Sequence, residues 1–451
     1  MLTSTIQSLT QRPLTPTLSR RARGTFSAVL ASAVLACLLA AAPALAEENR
    51  PQSSSAKAEE NWPQFRGPRG DGTSRAVGLP LTWSESRHVR WKTAIHGRGH
   101  CSPVVWDDQV WLTTATEDGH RLFAVCVDRA SGRIMHDVLV FAVEHPEPVH
   151  TLNSYASPTA VVEAGRVWVH FGTYGTACLD TSSGKILWAR NDLHCDHFRG
   201  PGSSPILCGD RLILHFDGID VQYLTALDKN TGKTLWKTDR STDFAGAEGD
   251  LRKAYSTPLL AEVDGRTLLL SVGAKAAMAY LAASGEQVWK IRYDGFSNTS
   301  RPLFGEGLAF INTGFGKPEL WAVRPGGRGD VTQSHVVWKL NKNVPAKPSA
   351  LLVGPQIYMI DDRGIASSVD ARSGEVLWHE RIGGQYSSSP VWADGRIYVF
   401  DENGKSVVLA GGRQFKLLAT NHLDAGCMAS PAVAGKSLLV RTTTHLYRIE
   451  D

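Results

Sequence analysis

The chain keeps rewriting one phrase, and that repetition limits what it can fold into. "LTALDKNTGKTLW" (224–236), "ACLDTSSGKILW" ending at Trp188, "YLAASGEQVW" ending at Trp289 and "SSVDARSGEVLW" ending at Trp378 each give an apolar run, a turn and a second apolar run closing on tryptophan; "AVCVDRASGRIM" reads as the same phrase closing on Met135. The turn has its own chemistry. Asp128, Asp180, Asp228 and Asp370 are placed to accept turn amides, and Gly132, Gly184, Gly232 and Gly374 to supply positive φ, so each phrase is a hairpin and its aspartate a turn residue, not a metal ligand.

Proline recurs in step with the phrase, at Pro103, Pro158, Pro205, Pro258, Pro302, Pro348, Pro390 and Pro431, with intervals of 55, 47, 53, 44, 46, 42 and 41 residues. Each proline is followed by a turn and an alternating run such as "AGRVWVHF" or "DGRIYVF". About four short strands per unit, at a period in the forties, is the pattern of a propeller blade, whose faces are buried only by stacking on its neighbours. Proline cannot donate to a ladder, which assigns it to the start of the innermost strand of each blade. Only 20 residues follow Pro431, enough for three strands, and "HVRWKTAI" (88–95) supplies the fourth, with Trp91 in the closing position. The expectation is all-β: an eight-bladed β-propeller of four-stranded antiparallel blades over residues 62–451, a monomer whose last blade is closed by the N-terminal strand.

Residues 1–46 are of another kind. Arg12, Arg20, Arg21 and Arg23 precede an apolar run from Phe26 to Ala42, and "APALAEE" offers a cleavage site after Ala46, so 1–46 reads as a signal peptide and the protein as exported to the periplasm or cell envelope. No transmembrane helix is expected after cleavage. Residues 47–61, polar and serine-rich, read as a flexible linker. Without the signal the chain has 44 basic and 44 acidic residues, and that balance argues against nucleic acid as a partner. Six cysteines remain, of which Cys126 and Cys178 hold equivalent repeat positions and read as small core residues. Cys101 and Cys427 flank the closure of the ring and are expected to approach each other, within reach of a disulfide.

The phrases "LTALDKNTGKTLW" and "ACLDTSSGKILW" resemble the repeat of the quinoprotein-like, or PQQ-repeat, β-propellers, and "NWPQFRGPRGDGTS" resembles the opening segment of exported bacterial members. The resemblance covers roughly residues 60–451. It implies that Trp91, Trp188, Trp236, Trp289, Trp338 and Trp378 dock between blades, with blade 1 departing at Met135 and blade 7, "VVLAGGRQFKLLA", lacking both turn and tryptophan. The same fold serves quinone-dependent dehydrogenases and non-enzymatic scaffolds, including the outer-membrane assembly propeller.

Candidate ligand positions lie on the connectors from each outer strand to the next inner one. Nine of fifteen histidines are assigned there: His96, His100, His136, His145, His150, His194, His197, His379 and His422. "DLHCDHFRG" (192–200) is the densest cluster, although four contiguous donors in one loop cannot converge on one ion, and no metal site is assigned. The residue before proline is Ser or Thr at Ser102, Ser157, Ser204, Thr257, Ser389 and Ser430, but a cation at Arg301 and Lys347, which are expected side by side as a spot for a carboxylate or phosphate. With His100, His194, His197, Arg199, Tyr155, Tyr255 and Tyr386 they form the ligand-binding set. No catalytic residue is assigned. The function read from the sequence is an exported, non-catalytic scaffold holding a protein partner or an envelope polymer; the alternative is a dehydrogenase of alcohols or sugars carrying PQQ with calcium.

Overall fold

The computed structural model describes residues 61–451; the signal segment and the linker up to residue 60 lie outside them. The described chain forms eight antiparallel meanders in sequence order: blade 1 (104–142), blade 2 (161–190), blade 3 (206–239), blade 4 (259–292), blade 5 (303–340), blade 6 (351–381), blade 7 (391–422) and blade 8. Blade 4 carries a fifth, two-residue strand, Gly329–Asp330, laid parallel to Gln287–Arg292. Blade 8 combines Ala432–Ala434, Ser437–Arg441 and His445–Ile449 with Val89–Ala94, and Trp91 stands opposite Arg448. The ring is thus closed by pairing the start of the fold to its end, which leaves no open joint between blades.

Within each repeat the turn aspartate caps its own hairpin. Asp228 accepts the Thr231 amide and hydroxyl, both at 2.8 Å, and the Gly232 amide donates to the Asp228 carbonyl at 2.8 Å. The Thr231 bonds, with that of the Asn230 amide, hold the Asp228 carboxyl below its usual range, and that of Asp180, with Ser182 and Ser183 on it, reaches about 2. Glycine is required four residues after the aspartate for two reasons: Gly232 has φ +72°, and a Cβ there would come within 2.8 Å of the Trp188 ring. The tryptophan of one blade therefore lies on the turn glycine of the next. Trp91, Trp188, Trp289, Trp338 and Trp378 also donate their indole N–H to a turn carbonyl of the following blade, at 2.7–3.1 Å.

A β-bulge just before the docking position sets which residue docks. In blade 3 Ala226 pairs with Trp236 and Leu227 with Thr234, so Leu235 is the extra residue and points outward, half exposed. The same bulge in blade 1 pairs Cys126 with His136 and Val127 with Ile134. The extra residue is therefore Met135, and the docking position belongs to His136, which corrects the reading of Met135 as its occupant. His136 stacks on Trp111 (centroids 5.7 Å apart, 19° between planes) and faces Gly184 as Trp188 faces Gly232. In blade 7, Ala419 holds the position opposite Val408, and the missing ring comes from elsewhere. Trp83, on the way to the closing strand, stacks on Phe400 and Tyr398 at 5.8 and 6.3 Å.

At the closure, Cys101 and Cys427 lie in one buried cluster that joins blades 7, 8 and 1. Both are free thiols, so the disulfide within reach of the sequence reading is not formed. The Cys101 sulfur instead takes a hydrogen bond from Arg441 at 2.7 Å and one from the Thr113 amide at 3.1 Å.

The bulge register predicts unequal costs for neighbouring side chains. Trp188→Ala should cost less than a fully buried aromatic, about 3–5 kcal/mol, because Trp188 is only partly buried, but more than about 1 kcal/mol, and His136→Ala should destabilise clearly more than Met135→Ala, expected within about 0.5 kcal/mol of wild type. Urea unfolding midpoints of the three variants check the order; a larger effect at Met135 would refute the register.

Candidate functional site

The connectors between blades converge on a central funnel, and its throat is built by a hydrogen-bond relay that passes from blade to blade. The amide of Ser102 donates to Thr159 Oγ1 (2.9 Å), Thr159 to Ser204 Oγ (2.9 Å) and Ser204 to Thr257 Oγ1 (2.9 Å). The relay resumes with Arg301 to Ser349 Oγ, Ser349 to Ser389 Oγ and Ser389 to Ser430 Oγ, each 2.9 Å, and closes with Ser430 to Ser102 Oγ at 3.1 Å. One joint differs: blade 5 has no hydroxyl to offer Thr257, and Arg301 bridges instead by donating Nε to the Pro258 carbonyl at 3.0 Å.

The relay corrects the sequence reading of the pre-proline residues. In blades 2 and 6 the throat residue follows the proline, as Thr159 and Ser349, so Ser157 and Lys347 stand outside the relay. Arg301 and Lys347 consequently part company. Lys347 lines the funnel and is paired with Glu402 at 2.8 Å, with Asp362 at 4.0 Å. Arg301 is buried and turns beneath the throat.

Beneath the throat lies a strap, residues 61–74. Asn61 begins it by accepting the Asp107 amide at 2.7 Å. Trp62 pairs with Val105 of blade 1, the Pro63 carbonyl accepts from Val162 of blade 2, and Gly72 and Ser74 bond Trp392 of blade 7. Phe65 becomes the floor of the funnel, and its carbonyl accepts from Arg301 Nη1 at 2.5 Å. Arg66 reaches the carbonyls of Ala350 (2.7 Å) and Pro390, in blades 6 and 7. The glycines of "GPRGDG" are needed for this approach: a Cβ on Gly70 would lie 2.5 Å from the Arg301 guanidinium. Burial lowers Arg301 to about 9, helped by the nearby charge of Arg66, and lowers Arg66 to about 10, because both guanidinium groups face carbonyls instead of carboxylates.

Above the floor is a cavity of about 370 Å³. Among its wall residues are Tyr255, Phe296, Phe315 and Met428, with His100, His150 and the Arg199–Asp250 pair. Arg199 holds Asp250 with Nε at 2.9 Å from both oxygens. Of the sequence candidates, the structure thus brings His100, Arg199, Tyr255 and Lys347 to the funnel. Tyr155 and Tyr386 are buried away from it, with hydroxyls donated to the carbonyls of Glu147 (2.8 Å) and Gly383 (2.9 Å).

His194 and His197 border a second hollow on the connector between blades 2 and 3. Exposure alternates along this connector, His194 and Asp196 facing out and Cys195 and His197 buried together, which divides the four donors between two sides. His197 accepts the Thr173 amide at Nε2 (3.0 Å) and lies 3.2 Å from Lys253 Nζ, itself buried and donating to the Asp217 carbonyl at 2.6 Å. Three of the histidines assigned to connectors are in fact on outer strands: His136 in Ile134–Ala142, His379 in Val376–Arg381 and His422 in Leu417–His422. The closing tryptophan marks the middle of that strand, not its end, and the sequence reading stopped the strands too early.

The funnel's donors do not suit a metal-supported quinone. Asp250 is spent on Arg199, Glu402 on Lys347 and the Ser387 hydroxyl (2.6 Å), and Asn153 Oδ1 on Ser157 (2.5 Å). The described residues contain no group of three or more His, Cys, Asp or Glu side chains arranged to hold a metal ion.

Comparison with known proteins gives three findings. Residues 125–262 and 220–451 match the sequence pattern of the family described as outer membrane protein assembly factor BamB. The outer membrane protein assembly factor BamB of Yersinia pestis is 27% identical over 205 residues, which is 41% of this chain and 48% of that protein, so the chain spans about half the length of this curated relative. Among solved structures, BamB from Moraxella catarrhalis superposes with a TM-score of 0.57 at 15% identity, covering 80% of this chain and 98% of that one. Quinohemoprotein alcohol dehydrogenase from Comamonas testosteroni gives 0.62 at 10% identity, covering 86% and 80%; at such identities the likeness is one of fold.

Acid should probe the packing around the throat. Burial lowers His100, His170 and His215 to about 3, with the cations Arg441 and Arg98 adding to the effect at His100 and Arg240 at His215. Between about pH 6.5 and 3 the unfolded chain binds protons at these sites and the folded chain does not, so stability falls as pH drops through that window, by about 1.4 kcal/mol per pH unit per histidine. His170→Gln should flatten the acid limb of a stability–pH curve; an unchanged slope would show that His170 is protonated in the fold.

Proposed function

We propose, for a chain that belongs to the outer membrane protein assembly factor BamB family, that it is an exported, non-catalytic scaffold of the bacterial envelope that holds a protein partner during outer-membrane assembly. The family match over most of the propeller carries this reading. The outer rim suits it as well. Blade 1 ends in the nine-residue edge strand Ile134–Ala142, which exposes Ile134, Met135 and Leu139, and the bulge residues Leu187 and Leu235 continue the apolar exposure onto blades 2 and 3. Exposed apolar positions along open strand edges are what a partner segment pairs with and covers. Among the described residues no helix is long and apolar enough to cross a membrane. In this reading the signal segment delivers the propeller to the periplasm and the residues from 47 to 60 tether it.

A dehydrogenase is the second reading, from the shared fold and the aromatic walls of the funnel, but the carboxylates there are already engaged by Arg199 and Lys347. Deleting the chain from its host should lower the amount of folded outer-membrane β-barrel protein, read as heat-modifiable bands on gels, and Leu187→Asp with Leu235→Asp should reproduce part of the loss. Unchanged barrel levels, or dye-linked alcohol or aldose oxidation after loading purified protein with PQQ and calcium, would overturn the scaffold reading.

A further inference from the structure

Two features of the throat, its hydroxyls and its charge, point to a ligand. Ser102, Thr159, Ser204, Thr257, Ser349, Ser389 and Ser430 all line the funnel and are more than nine-tenths buried. Each hydroxyl oxygen accepts one backbone amide, and among the described residues none of the seven hydroxyl protons has an acceptor. A hydroxyl that already accepts one hydrogen bond still has its own proton to donate, here toward the cavity that all seven line. They share one circle around one axis.

The second feature is charge. Arg66, Arg301 and Arg441 are each at most 4% exposed, and none has a carboxylate in an ion pair. Arg441 bonds the Cys101 sulfur and the carbonyls of Cys101 and Thr113, which places it one residue from the throat at Ser102. Asp71, the acid near Arg66, is held by Arg69 at 3.2 Å and by Thr73. The funnel's other carboxylates, Asp250, Glu402 and Asp362, lie against Arg199 and Lys347. Buried charge is ordinarily paired, and three guanidinium groups around a ring of free hydroxyl protons leave the pairing incomplete.

We propose that the throat binds a small oxyanion, a carboxylate or phosphate group, which accepts hydroxyl protons from part of the ring above Phe65 and is held by the field of Arg66, Arg301 and Arg441. This goes beyond the scaffold reading and does not depend on it. It also replaces the anion spot read from Arg301 and Lys347 together. Lys347 is neutralised by Glu402, whereas the ring hydroxyls donate directly, and hydrogen bonds from a fixed circle to an anion are stronger than those to a neutral ligand.

Sodium phosphate, sodium acetate and sodium chloride at equal ionic strength, titrated against the purified protein by calorimetry and thermal melting, test this. A saturable rise in melting temperature with phosphate or acetate, absent with chloride, is expected. The arm that saturates at the lower concentration tells a phosphate group from a carboxylate. Thr257→Val and Arg301→Met should each weaken binding about tenfold or more. Because either variant disturbs the relay, crystals of the unaltered protein soaked in sodium selenate give an independent reading, with anomalous density expected on the axis above Phe65. Equal shifts with chloride, wild-type affinity in both variants, or selenate density only outside the funnel would overturn the proposal.

Discussion

Every blade begins at the axis with a backbone amide that no strand ladder can satisfy, and the fold depends on how those amides are paired. An inner strand is an edge, and a buried amide left unbonded there costs about 1–3 kcal/mol. Seven of the eight joints solve this with a hydroxyl from the next blade, so the axis is a relay in which each blade positions its neighbour. Its last step, from Ser430 to Ser102, crosses the closure of the ring. The docking rings and the strand Val89–Ala94 secure the rim and the closing blade, but the relay sets the axis to which they must conform.

The eighth joint explains the strap. Where a hydroxyl is missing, Arg301 spans the gap with a side chain too long to stop there, and its guanidinium is received below by the Phe65 carbonyl. The strap that supplies this carbonyl also sends Arg66 to blades 6 and 7 and pairs Trp62 with blade 1, so a short segment ties non-adjacent blades across the axis. One arrangement thereby closes the lower mouth, sets an aromatic floor and places positive charge under the funnel. The polar chemistry of the funnel follows from the repair of one irregular blade.

Burying those cations without carboxylates is costly, and the proline positions alone did not reveal it. Arg301 and Lys347 occupy equivalent places in the sequence, each preceding a proline. In space they differ because Pro348 stands ahead of the relay residue Ser349, whereas Pro302 follows Arg301. A register slip of two residues sends one cation into the hub and leaves the other on the wall beside Glu402. The bulge before the docking position acts in the same way at His136, where counting from the turn glycine gives the docking residue and matching the last apolar residue of the phrase does not.

The sequence by itself determined the blade, the count of eight and the closure by Val89–Ala94, because hairpin turns and edge prolines act within a few residues and repeat in every unit. It also marked the Ser and Thr of the throat and the strap's "FRGPRGDG", without saying what either does. Tertiary structure decided the site. Thr159 and Ser349 meet the other hydroxyls, Trp83 fills the place blade 7 leaves, and His100, Arg199, Tyr255 and Lys347 reach one cavity while Tyr155 and Tyr386 do not. Those meetings join residues from blades far apart in the chain, and they depend on the axial register that only the closed ring of eight fixes.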